Sequence, residues 1–160
     1  MTKEDFMKKI FTLFAMATLA FTALSCDMYD DGLPSKAVRD EFNAMYPDAK
    51  DVEWEREGLN WSVSFETGIR PNLTEHEAWF DTNGNWIRTE TDLYVNQVPD
   101  QIKTILESSE YASSFLEDNE VNLVSTPDGD FYRFELWVSG AKVKVDVYEN
   151  GTVKLAGLGF

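Results

Sequence analysis

Hydrophobic positions recur every three or four residues in two stretches of the chain, each of which begins after a proline. The two apolar stripes are Val38, Phe42 and Met45, and Ile102, Ile105 and Leu106. Spacings of three and four residues place side chains on one side of an α-helix. We therefore predict two amphipathic helices, the first of which ends at Pro47 because proline cannot continue a helix.

After each predicted helix the pattern changes to strict alternation of apolar and polar residues. The apolar positions include Trp61, Val63 and Phe65, then His76, Ala78 and Phe80, then Tyr132, Phe134 and Leu136, and finally Val143, Val145 and Val147. A period of two puts neighbouring side chains on opposite faces of a strand. We predict antiparallel sheets with one face against a helix, a loop over residues 68–74 and a linker over 92–97.

An Asn-Gly pair lies between alternating segments near the end of each set of strands, at Asn83-Gly84 and Asn150-Gly151. Such a pair favours a two-residue type I′ hairpin, in which both residues have positive φ. That loop would place Trp79 opposite Arg88 and put Trp86 on the same outward face.

A helix followed by strands therefore occurs twice. We predict an α+β fold of two tandem repeats, each a helix packed on an antiparallel sheet of three to four strands. The predicted segments are a signal peptide at 1–25, a tether at 26–32, repeat 1 at 33–97 and repeat 2 at 98–160.

The N-terminus has the order of a secretory signal. Lys8 and Lys9 precede an apolar run over residues 10–24, which is shorter than the roughly 20 residues that span a bilayer. Cys26, the only cysteine, follows directly, and this arrangement resembles the lipobox of bacterial lipoproteins. We predict lipidation of Cys26; the alternative is an ordinary signal peptide with an incidental cysteine.

The composition excludes some functions. The chain has 14 Lys and Arg residues against 29 Asp and Glu residues and a net charge of -15, which argues against nucleic-acid binding. Asp27, Asp30 and Asp31, which follow Cys26 within the predicted tether, are read either as a surface-export signal or as part of a solvated tether. A basic partner or a divalent cation fits the charge better. The acidic row of Asp51, Glu53, Glu55 and Glu57 is read either as a solvated strand face or as a contact for a basic partner.

Catalytic and metal-binding motifs are not indicated, and no cofactor is predicted. His76 is the only histidine, and its strand position points it toward the helix, as expected of a core residue. Asp81, Asn83 and Asn85 have the spacing that begins an EF-hand loop, but the glutamate that completes such a loop is missing. A tight hairpin explains the same residues.

Outward aromatic residues give the stronger indication of a contact surface. The predicted partner-binding residues are Trp79, Trp86, Arg88, Phe131 and Trp137. Exposed aromatic patches usually mark interaction sites. The alternatives are that Trp79 and Trp86 cover each other, or that the two repeats pack sheet against loop.

Several short motifs carry a family resemblance. They are Leu33-Pro34, Tyr46-Pro47-Asp48-Ala49, Val52-Glu53-Trp54, Trp61-Ser62-Val63-Ser64-Phe65, Trp79-Phe80-Asp81, Gly84 and Trp86, with Val98-Pro99, Tyr111-Ala112-Ser113, Tyr132, Asp146, Asn150 and Gly151 as a second set. They resemble the PepSY-like family of secreted bacterial proteins. The resemblance implies a fold similar to that of the beta-lactamase-inhibitor protein and a lipoprotein of the Gram-negative envelope, but no reaction, because fold does not fix function.

We predict a non-catalytic lipoprotein, anchored in the outer membrane on its periplasmic or external side, that binds an envelope protein or peptide through an acidic, tryptophan-bearing concave sheet. Inhibition or sensing of an envelope enzyme would be such a role. The alternative prediction is an envelope protein that binds a small ligand or a cation.

Overall fold

A computed structural model describes residues 32–157. The predicted signal peptide, Cys26 and nearly all of the predicted tether lie outside the described residues. The helices are α1 (Lys36–Met45) and α2 (Asp100–Glu107), and a 3-10 turn covers Val95–Gln97. The strands are β1 (Lys50–Glu57), β2 (Asn60–Ile69), β3 (Asn72–Asp81), β4 (Trp86–Tyr94), β5 (Phe115–Thr126), β6 (Gly129–Val138), β7 (Ala141–Val147) and β8 (Val153–Leu155).

All eight strands form one sheet in chain order, and every neighbouring pair is antiparallel. A helix followed by four strands thus occurs twice along the chain. Strands β4 and β5 pair from Thr89 opposite Ser125 to Tyr94 opposite Glu120. This pairing joins the two sets of strands into one surface. Within residues 32–157, no helix has the length and apolar character needed to cross a membrane.

Both helices pack on the same face of the sheet, which we call the inner face. Val38 and Phe42 of α1 contact the buried side chains of Val63, Phe65 and Phe80. Ile102 of α2 joins a second cluster with Val121, Phe134, Leu136, Val145 and Val147. Side chains alternate along each strand, and the register runs unbroken from β4 to β5. Both clusters therefore lie on the same face of the sheet. The predicted helical stripes and inward strand positions are confirmed.

The opposite surface, which we call the outer face, is made by the alternate side chains of the same strands. Its residues include Glu53, Ser62, Glu77, Trp79, Arg88, Glu90, Val124, Phe131, Arg133, Trp137, Lys144 and Asp146. Because α1 and α2 lie on the inner face, no helix of the described chain covers these side chains.

Strands extend further than the sequence pattern predicted. Residues 68–74 are not a loop, because Gly68 pairs with Leu73 and Ile69 with Asn72. Half of the predicted linker at 92–97 belongs to β4 and pairs with β5, and the other half is the 3-10 turn. The polar and glycine residues that suggested irregular structure lie where the sheet is exposed, so an apolar alternation is not needed there.

The two Asn-Gly turns have a different geometry from the predicted type I′ turn. Gly84 has φ +96° and Gly151 has φ +90°, whereas neither asparagine has a positive φ. In the first turn the Asp81 N–H donates to the Asn85 carbonyl (2.9 Å), and in the second the Tyr148 N–H donates to the Thr152 carbonyl (2.9 Å). Each loop therefore contains three residues and needs glycine only at its last position.

Substituting the two turn glycines is expected to destabilise the protein to different degrees. Alanine at either position meets a left-handed backbone, which costs about 1–2 kcal/mol. At Gly84 the added Cβ would also lie 3.1 Å from the Ala37 carbonyl, whereas at Gly151 it meets nothing within 4 Å. We expect Gly84→Ala to lower the free energy of unfolding by about 1 kcal/mol more than Gly151→Ala. Equal losses in urea denaturation would contradict this α1 contact.

Candidate functional site

The outer face holds four of the five predicted partner-binding residues. Trp79 and Arg88 lie directly opposite each other on β3 and β4, as the alternation predicted. Phe131 and Trp137 lie on the same face of β6. Since no described helix covers this face, it is the candidate site.

The prediction that Trp86 faces outward is wrong. The three-residue loop pairs Phe80 with Trp86, and a bulge at Ile87 then restores the pairing of Trp79 with Arg88. One extra residue reverses the side on which a strand residue points. Trp86 consequently packs against the core beneath α1, and its Nε1 donates to Thr89 Oγ1 (2.9 Å). It cannot share a surface patch with Trp79.

Trp79 is on the outer face but is only 6% exposed. The guanidinium carbon of Arg88 lies 3.7 Å from the centre of its ring, a cation–π contact. The indole Nε1 of Trp79 donates to Glu57 Oε2 (2.9 Å). Arg88 rather than Trp86 covers this tryptophan, so the alternative in which the two tryptophans cover each other is also wrong.

An ion-pair network, which we call the arginine network, continues from Arg88 across the middle of the face. Arg88 Nε lies 3.0 Å from Glu90 Oε1, and Arg133 Nη1 lies 3.6 Å from the same oxygen. Arg133 Nε donates to Asp146 Oδ1 at 2.8 Å, and Asp146 is only 3% exposed. The bond to Asp146 is the main reason that the pKa of Arg133 is raised. Strands β4, β6 and β7 are thereby connected through side chains.

Aromatic side chains lie beyond this network on β6 and in the turn between β7 and β8. Phe131 and Tyr148 are 5.0 Å apart between ring centres, and Lys154 Nζ lies 4.7 Å from the Tyr148 ring centre. Trp137 is 41% exposed and pairs with Lys142 on β7. Among the predicted contact residues, Trp137 has the largest exposed fraction.

Strands β1 to β5 carry a depression of about 490 Å³, which we call the acidic groove. Its lining carboxylates are Asp51, Glu53, Glu66, Glu75, Glu77, Glu90 and Asp92, and Ser64 and Asn122 add neutral polar groups. Neither lysine nor arginine lines it. Within the described part of the chain, Glu90 is the only one of these carboxylates with a cation inside ion-pair distance.

Sequence reasoning recognised the acidic row on β1 but missed the groove. The other carboxylates come from β2, β3 and β4, so they become neighbours only through the register of four strand pairs. Alternating acidic positions such as Glu75 and Glu77 were the available signal. Read one strand at a time, such residues resemble an ordinary solvated face.

Burial and like charges act together on two groove residues. Burial is the first cause of a raised pKa at Glu77, and the charges of Glu57 and Glu90 add to it, against a hydrogen bond from Ser62. Burial also raises the pKa of Asp92, with Glu75 as the next cause, while a hydrogen bond from Asn122 opposes the shift. The ionised carboxylates are therefore less stable in the groove than in water.

Glu77→Gln is expected to raise the melting temperature at neutral pH. A carboxyl group whose pKa is raised by folding binds protons more strongly in the native state. As pH rises from the unfolded pKa through the folded pKa, ionisation of Glu77 therefore lowers the free energy of unfolding. The variant's advantage should shrink below about pH 4, where Glu77 is protonated in both states. Thermal denaturation at pH 7 and pH 4 measures this. A lower melting temperature at pH 7 would show that the Ser62 bond outweighs charge repulsion.

His76 lies on the inner face, as predicted, with both ring nitrogens in use. Its Nε2 is 2.8 Å from Thr67 Oγ1 and its Nδ1 is 2.9 Å from Thr91 Oγ1. Its ring stacks on Phe65 at 4.9 Å, and burial lowers its pKa. These contacts agree with the interpretation of His76 as a core residue.

The turn that suggested the start of an EF-hand is occupied by its own hydrogen bonds. Asp81 Oδ1 accepts from the backbone N–H groups of Asn83 (2.8 Å) and Asn85 (2.9 Å). These bonds lower the pKa of Asp81, the bonds from Asn85 contributing most. Over residues 32–157, no three His, Cys, Asp or Glu side chains are grouped so that they could hold a metal ion.

Solved structures from Bacteroides resemble the chain. A BLIP-like protein from Bacteroides fragilis is 27% identical, with a TM-score of 0.64, over 80% of this chain and 90% of that chain. A DUF2874 family protein from Bacteroides ovatus is 20% identical, with a TM-score of 0.64, over 77% and 88%. A structure from Bacteroides eggerthii described as "putative periplasmic proteins" is 18% identical, with a TM-score of 0.63, over 78% and 89%.

These three structures show a shared mixed fold of helices on an antiparallel sheet. No curated protein sequence matches the chain. A family model described as "Putative beta-lactamase-inhibitor-like, PepSY-like" matches residues 60–154, from the start of β2 into β8. Because this match spans more than half of the 160 residues, the chain belongs to the PepSY-like family.

Proposed function

We propose that this protein is a non-catalytic lipoprotein of the bacterial envelope that binds a protein or peptide through the outer face of its sheet. The observation that carries the proposal is the one-sided fold. Both helices pack on the inner face, and a broad sheet surface opposite them holds an exposed tryptophan beside charged groups. Such surfaces are typical of protein contacts.

The binding surface in this proposal differs from the one expected from sequence. Trp137, Phe131 and Arg88 remain candidate contacts, and Trp79 contributes mainly by holding Arg88 in place. Trp86 is removed from the set because it lies on the inner face. An inhibitor or a sensor of an envelope enzyme would use such a face without chemistry of its own.

The envelope location rests on two observations. Cys26 follows an apolar segment in the arrangement of a lipobox, and one structural neighbour is described as periplasmic. We propose that Cys26 is acylated and that acylation holds the protein at the outer membrane, since two or more chains give stable anchoring.

We also infer that the two helix-and-sheet halves are tandem repeats. In support, the hydrogen bonds that close the turn at Gly84 recur with the same pattern at Gly151. Each half also has one helix followed by four strands.

Photo-crosslinking in the native envelope tests the proposed surface. A crosslinking amino acid at position 137 of the full chain is expected to form a discrete adduct with a partner protein. The control position is Glu41, which is exposed on α1. Equal adducts at both positions, or an adduct only at 41, would refute binding through the outer face.

A further inference from the structure

The charge of the outer face divides along the sheet. The acidic groove lies on β1 to β5, whereas three lysines of the face, Lys142, Lys144 and Lys154, are on β7 and β8. Lys50 also lies on this face, opposite Glu66 at the start of β1, and its Nζ donates to the Gly68 carbonyl. Lys142 and Lys144 lie 3.0 Å and 2.9 Å from Glu117 and Glu135, respectively. The basic side is thus largely neutralised by its neighbours, and the groove is not.

Two glutamate pairs face each other directly across strands in the groove. Glu66 lies opposite Glu75 on β2 and β3, and Glu77 lies opposite Glu90 on β3 and β4. Like charges in directly opposite positions destabilise a sheet. Arg88 and Arg133 contact Glu90 only among these four residues. Of the other three, Glu77 accepts a hydrogen bond from Ser62, whereas Glu66 and Glu75 have no cation within ion-pair distance in the described chain.

A carboxylate oxygen in the groove also lacks a partner. Glu66 Oε2 is buried and has no hydrogen bond within the described structure, and Glu66 lines the depression. A buried carboxylate oxygen without a donor is costly. A donor from another molecule would remove that cost.

We propose that the acidic groove binds a basic, extended segment of the partner protein. This inference rests on the proposed function and names the chemistry that the outer face recognises. Lysine or arginine side chains would supply the missing cations and hydrogen-bond donors to Glu66, Glu75 and Glu77. The segment lies across the face of the strands, while Trp137 contacts a separate part of the partner.

Titration of a labelled peptide tests the groove directly. The probe is a fluorescent octapeptide of alternating lysine and threonine, added to the full chain in nonionic detergent, with an alternating glutamate and threonine peptide as its counterpart. We expect only the lysine peptide to bind, with affinity falling as salt rises. Backbone amide shifts should change in β2 to β4 and not in α1 or α2.

A matched pair of variants separates local charge from net charge. The groove variant is Glu66→Gln, Glu75→Gln and Glu77→Gln, and the control variant is Asp40→Asn, Glu41→Gln and Glu107→Gln, on the helices. Both remove three charges. We expect the groove variant to bind about tenfold more weakly than the control. Amide shifts of the unaltered chain provide a test that does not depend on the folding of either variant.

Several outcomes would overturn the inference. They are equal binding by the two variants, binding of both peptides, and amide shifts confined to the helices. A rise in melting temperature with calcium chloride, without binding of the lysine peptide, would show that the groove binds a cation and not a basic segment. If position 137 still forms its adduct in the groove variant with undiminished yield, the outer face binds a partner without this groove, and the proposed function survives alone.

Discussion

Arg133→Met is expected to lower the free energy of unfolding by about 3 kcal/mol. Arg133 Nε donates to Asp146 Oδ1 at 2.8 Å and its Nη2 donates to Asp146 Oδ2 at 3.2 Å. The Asp146 side chain is almost completely buried, so methionine would leave a buried charge without its main partner. Lys154 pairs with Asp146 across β7 and β8, which places the loss at the lower end of the range for broken buried pairs. Urea denaturation measures it.

A double variant distinguishes the two contributions to that loss. Arg133→Met with Asp146→Leu removes both charges and should recover most of the stability, because the penalty comes from the stranded carboxylate. Lys144→Met is the control, since Lys144 pairs with Glu135 in an exposed position and should cost under about 1 kcal/mol. A double variant as unstable as Arg133→Met would mean that the arginine stabilises through packing.

Cys26→Ser is expected to move the protein from the membrane fraction to the soluble fraction almost completely. The prediction depends on acylation of the single cysteine. Each buried CH₂ of an acyl chain contributes about 0.8 kcal/mol, and two or more chains make anchoring effectively stable. Fractionation and labelling with an alkyne fatty acid measure the two steps separately.

Ser25→Ala serves as the matched control for Cys26→Ser, because it changes the adjacent residue and retains the sulfur. It should keep both the label and the membrane location. A labelled Cys26→Ser variant would place the acyl chain elsewhere. An unlabelled natural chain that stays in the membrane fraction would refute lipid anchoring through Cys26.

The predicted outward placement of the candidate contact residues was correct where the face follows from alternation alone. On β6, Phe131 and Trp137 alternate with Phe134 and Leu136, which are buried beneath α2. Regular strands preserve this relation over any length, so the assignment needed no knowledge of neighbouring strands. Trp79 was assigned to its face by the same logic, but its burial was not foreseen, because Arg88 covers it from another strand.

Sequence alone determined the two amphipathic helices, the inward and outward sides of the regular strands and the resemblance that led to the PepSY-like family. Tertiary structure decided the rest. It merged both sets of strands into one sheet through β4 and β5, turned Trp86 inward through a bulge and gathered scattered carboxylates into the acidic groove. Local periodicity follows from backbone geometry within one segment, whereas register and side-chain cover depend on which strands pair.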